Sequence, residues 1–82
     1  NHLQSAKYKA VSAVTVFTRT VISANVSIAK AYALSDVYIK LIDHCEDLHQ
    51  ILKTINDAIT DFTKLVQQYK YLDKKDKRIH IS

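Results

Sequence analysis

The chain is 82 residues long, with one cysteine, no glycine, no proline and a formal net charge of +4. A chain this short buries only about 60 % of its unfolded surface, and one cysteine excludes an internal disulfide framework. Stability must therefore come from well-packed helices, a metal or partners. No glycine-rich phosphate cradle exists, and no serine or cysteine nucleophile can be paired with a histidine, an orienting acid and an oxyanion hole. The sequence reads as a non-enzyme, with no cofactor and no small-molecule substrate.

Charge is distributed in blocks. Residues 1–30 carry Lys7, Lys9, Arg19 and Lys30 without an acid. Residues 36–61 set six acids against Lys40 and Lys53, and residues 62–82 set six bases against Asp73 and Asp76. The sums are +4, −4 and +4. Segregation of this kind predicts an acidic stretch lying beside a basic one, within the chain or between copies. A chain that opens on Asn1 and lacks methionine is also expected to be a processed product or part of a longer protein.

In chain order, the first predicted element is a helix over about 4–33. Between Ala10 and Ala29 the only charge is Arg19. A stripe of Val11, Val14, Thr18, Val21, Asn25, Ile28 and Tyr32 runs beside a smaller one of Ala10, Ala13, Phe17, Thr20, Ala24, Ser27 and Ala31. The β-branched run AVTVFTRTVIS competes as a strand pair, but no turn chemistry divides it and the helical spacing continues on both sides. A membrane span is disfavoured, because Arg19 at its centre costs about 2.5–3.5 kcal/mol on insertion scales. Asn25, polar on the valine stripe, is read as a register-fixing core residue.

A break is predicted near residues 33–35, with Ser35 as N-cap and Asp36 favoured by the exposed amides. A single continuous rod is the alternative. The second helix, about 36–74, carries apolar residues alternating four and three apart: Leu34, Tyr38, Leu41, Cys45, Leu48, Leu52, Ile55, Ile59, Phe62, Val66 and Tyr69. That is a heptad seam. On this reading Leu52→Asp or Ile59→Asp disrupts folding or association, while Gln50 and Gln67 tolerate the same change. Folding at residue 34 would set Lys30 beside Asp36, Arg19 beside Glu46 and Asp47, and Lys9 beside Asp57 and Asp61. Residues 75–82 form a basic tail.

The predicted architecture is therefore all-α: one module, 1–82, made of two long antiparallel helices in a coiled-coil-like hairpin and belonging to a larger bundle or oligomer. The predicted function is helix-mediated assembly with copies of the chain or with other helical proteins. The residues assigned to that interface are Val14, Phe17, Val21, Ile28, Leu48, Leu52, Ile55, Ile59, Phe62 and Val66. Two other classes stay open. Lys74, Lys75, Lys77 and Arg78 could contact nucleic acid or another anion, as in a basic filament, coat or nucleoid subunit, although a solvated helix end is the preferred reading. Glu46 and His49 have the Glu-x-x-His spacing of bundle metal sites, and Cys45 and His49 lie four apart. Glu46 falls on the solvent side of the heptad, so no metal is assigned.

Overall fold

The computed structural model describes the backbone of residues 1–81 and the side chains of residues 1–70. It is all-helical among the described residues: α1 spans His2–Ser23, α2 Ile28–Asp43 and α3 Leu48–Ile81. The three run up, down and up, and every pair is in contact. The molecule is 59 Å long and 18 by 14 Å across.

The first helix forms across the β-branched run, as its periodicity predicts. Asn1 caps it, its side-chain oxygen accepting from the Leu3 amide at 2.8 Å and the Gln4 amide at 3.4 Å. Its hydroxyls do not compete with the helix. Ser12, Thr15, Thr18, Thr20 and Ser23 each donate to the carbonyl four residues earlier, at 2.8–3.1 Å. Thr18 can therefore be buried among Ala10, Val14 and Val21 without an unsatisfied polar group.

The predicted two-helix hairpin is corrected to three helices. No break occurs at 33–35, and Ser35 lies buried within α2. The chain turns instead at residues 24–27 and again at 44–47. Asn25 adopts φ 66°, the left-handed conformation a helix end usually assigns to glycine. Its amide donates to Ile22 O at 3.1 Å and the Val26 amide to Val21 O at 3.3 Å, which is the Schellman pattern. Val26 and Val21 are both buried and close the turn beneath it. Ser27 then caps α2, accepting from the Lys30 amide at 3.4 Å. Asn25 is thus a turn residue rather than a polar core residue. Asn25→Val should cost about 1–2 kcal/mol, because a β-branched side chain clashes in this conformation, whereas Asn25→Gly should be neutral or stabilising. Urea midpoints of the two variants check this, and a harmless valine would contradict the turn geometry.

The second turn divides the predicted seam. Asp47 Oδ1 accepts from the Gln50 amide at 2.8 Å, and Gln50 Oε1 accepts from the Glu46 amide at 2.7 Å. This is a reciprocal cap of the capping-box kind at the start of α3. Cys45 is buried beneath the turn, its thiol donating to Leu41 O at 3.3 Å and lying 3.6 Å from Thr54 Oγ1.

Beyond this turn the buried face of α3 lies about one residue earlier than the heptad. Ile51, Ala58 and Phe62 are buried, with Ile55, Leu65, Val66 and Tyr69 packed beside them. Leu52, Ile59 and Leu48 fall outside that core. A two-body seam admits one narrow stripe, but α3 has two neighbours, so its buried stripe is centred between them.

Candidate interaction surface

The core is centred where all three helices contribute an aromatic ring. Phe62 of α3 lies 6.1 Å from Phe17 of α1, tilted by 59°, and 6.5 Å from Tyr38 of α2, tilted by 37°. The Tyr38 hydroxyl donates to Asp61 Oδ2, so the one buried phenol of this cluster has a partner. Burial, then the hydrogen bond to Asp61 and the charges of Asp61 and Asp57, hold that phenol well above the ordinary tyrosine value. The folded state therefore keeps a proton that the unfolded chain loses above about pH 10. The stabilisation is complete below that value and is lost as pH rises through it. Denaturant midpoints at neutral and strongly alkaline pH should diverge in the wild type more than in Tyr38→Phe. Equal alkaline losses in the two proteins would remove Tyr38 as the cause.

On either side of this cluster the bundle is incompletely covered. Between α1 and α3 a cleft of about 350 Å³ is lined by Phe17, Thr20, Val21, Ile59, Phe62, Thr63, Val66, Gln67 and Lys70. Ile59 is 45 % exposed, and Leu52 and Leu48, seven and eleven residues before it on the same edge of α3, are 64 % and 55 % exposed. α2 exposes a second set, Ile28, Tyr32, Val37 and Leu41, and α1 exposes Tyr8 and Val16. Single exposed apolar residues are ordinary; a row of three on one helix edge, the last of them lining an apolar cleft, is not.

The residues assigned to an interface from sequence therefore separate into three groups. Val14, Val21 and Phe62 are consumed by the chain's own core. Phe17, Ile55 and Val66 are half-buried at its margin. Ile28, Leu48, Leu52 and Ile59 remain exposed. The periodicity located the apolar side of each helix but could not say how much of it a third helix would cover. Tyr8, Val16, Tyr32, Val37 and Leu41 are exposed as well but were not assigned to the interface. Leu41 and Val37 border the buried Tyr38 stripe of α2, a proximity visible in the sequence once α2 is known to be a separate helix.

The predicted charge register is also corrected. Lys30, Arg19 and Lys9 do not pair with the acids expected of a two-helix hairpin. Among the described residues the one ion pair is Lys40–Asp36, 3.0 Å, within α2 and largely exposed. Lys30 Nζ lies 5.6 Å from the centre of the Tyr69 ring, and Lys7 Nζ donates to Asp43 O at 2.7 Å, so these lysines interact with a ring and a helix end.

The segment from Asp43 to His49 serves the turn: Asp47 caps α3, and His44 Nδ1 lies 2.8 Å from Lys40 O. Among the described residues no three His, Cys, Asp or Glu side chains gather as a metal site, and no helix is long and apolar enough to cross a membrane. The side chains of Lys74, Lys75, Lys77 and Arg78 lie outside the described residues, as does the structure of Ser82. No family model matches this chain, and no curated protein or solved structure is significantly similar to it.

Proposed function

We propose that this chain is a helical interaction module that works by accepting another helix along the α1–α3 cleft. The observation that supports this reading is the row of Leu48, Leu52 and Ile59, exposed on one edge of α3, whose last member lines an apolar cleft. Burying such side chains is worth about 1.5–3 kcal/mol each, so an incoming amphipathic helix has a driving force there. From Leu48 to Val66 this edge of α3 is about 27 Å long, which suits a helix of some five turns. Recognition is of the helix-in-groove kind, with apolar anchors inserting at helical spacing.

The chain contains no tryptophan, so a three-heptad synthetic peptide carrying one tryptophan and a leucine face reports binding without background. Saturable binding is expected, with amide shifts around Leu52, Ile59 and Phe17. Leu52→Asp should weaken it at least tenfold while the circular dichroism spectrum is unchanged. If the peptide does not bind and the thermal midpoint is also independent of protein concentration, the chain is not an interaction module.

A further inference from the structure

The exposed apolar side chains of α3 form a single row. Counted at 3.6 residues per turn, Leu48, Leu52, Ile59, Val66 and Lys70 fall within about 40° of one another around the helix. Leu48, Leu52 and Ile59 are exposed and Val66 is half-buried. Ile59, Val66 and Lys70 also line the α1–α3 cleft. Asn56, Thr63 and Gln67, exposed beside the row, carry no charge. Leu52, Ile59 and Val66 are spaced seven apart. Turned end for end about Ile59, the row therefore lies on itself: position 59 meets 59, 52 meets 66, and 48 meets 70. A patch that complements itself in this way is what a two-fold dimer requires.

Charge gives the row a direction. Glu46 and Asp47 stand in the turn just before Leu48, and neither has an ion-pair partner among the described residues. At the other end the charges are positive: residues 62–70 contain Lys64 and Lys70 without an acid, and residues 1–35 contain no acid at all. Lys30 of α2 reaches the same end, its Nζ lying 5.6 Å from the centre of the Tyr69 ring. Two such rows laid parallel would set base against base and acid against acid. Laid antiparallel, they bring Lys70 of each copy to the Glu46–Asp47 turn of the other.

We infer that the partner of this surface is a second copy of the chain, bound edge to edge through α3 in a closed antiparallel dimer centred on Ile59. This rests on the interaction reading above and names the helix that satisfies it. Ile59 packs on its own counterpart, and Leu52 of each copy packs on Val66 of the other. The same surface is used on both sides, so the contact closes on itself and does not continue into a filament. The apolar row supplies the affinity, and the end charges select the antiparallel arrangement over the parallel one.

The test uses the whole chain. In sedimentation and light scattering at several concentrations, the wild type should reach a dimer and stop there. Ile59→Asp sets two carboxylates against each other at the centre and should weaken the dimer at least tenfold, as should Leu52→Glu. These positions are 45 % and 64 % exposed, so both chains should keep wild-type helicity, and Ile59→Gln is a milder replacement should the aspartate fail to fold. Disulfide trapping reads the register. Under mild oxidation Ile59→Cys should cross-link to its own copy. Leu48→Cys alone should not, yet it should form a mixed disulfide with Lys70→Cys, two positions about 33 Å apart within one chain. The wild type, whose Cys45 is buried, is the uncross-linked control. Lys70→Glu should weaken the dimer at low salt, and Glu46→Lys in the same chain should restore it, since the exchange rebuilds both end contacts.

A wild type that stays monomeric but still binds the leucine peptide would overturn self-association while leaving the interaction module standing. Growth beyond a dimer, or self-cross-linking by Leu48→Cys as readily as by Ile59→Cys, would overturn the antiparallel two-fold contact.

Discussion

Ile51→Asp should unfold this chain, whereas Leu52→Asp should leave its helix content unchanged. The two residues are adjacent, yet Ile51 is 4 % exposed and Leu52 is 64 % exposed. An aspartate at 51 would be held in the core with no cation to meet it, at a cost of about 4 kcal/mol or more. Domains of this size have total stabilities of roughly 0.05–0.15 kcal/mol per residue, so that cost takes most or all of what is available. At position 52 the carboxylate stays in water, and only association should suffer. Circular dichroism and urea unfolding of both variants decide between the buried face seen here and the heptad seam, which makes Leu52 the sensitive residue. Gln50 is also less tolerant than the seam implies. Gln50→Ala removes the acceptor of the Glu46 amide and should cost about 0.5–1.5 kcal/mol.

Phe62→Ala should be nearly as damaging. Its ring is 3 % exposed and is the element shared by the Phe17 and Tyr38 contacts, so truncation opens a cavity touching all three helices at once. Buried phenylalanines replaced by alanine lose about 3–5 kcal/mol. The hydrogen-bonded Tyr38–Asp61 pair lies beside this cavity and would become more accessible, so the alkaline instability of the wild type should shrink along with the overall stability. Phe62→Leu, which fills more of the space, should recover part of the loss. A urea midpoint for Phe62→Ala within experimental error of the wild type would show that the ring is not the junction of the bundle.

Some of this was readable in the residues alone. The absence of glycine and proline, and a 3–4 apolar spacing extending from Val11 to Tyr69, determined an all-helical chain, including the β-branched run whose hydroxyls bond back to their own helix. The spacing also determined which side of each helix is apolar. The turn signals were present too, though they are weak when glycine is missing. Asn25 followed by Ser27 marks an end and a new start, and Asp47 with Gln50 three residues later is a cap pattern. The apolar stripes continue in phase across both turns, so the periodicity masks these signals.

Tertiary packing decided the rest. Whether a stripe at Leu48, Leu52 and Ile59 is core or surface depends on how many helices surround α3. Local spacing cannot count neighbours, because one amphipathic pattern serves a two-helix seam and the wider contact of a three-helix bundle with a small shift in angle. Charge register was undetermined for the same reason. Exposed ion pairs contribute about 0–1 kcal/mol each, too little to choose a fold against burial of Val14, Ile42 and Phe62, so the arms packed by their apolar faces and, among the described residues, only Lys40 and Asp36 pair.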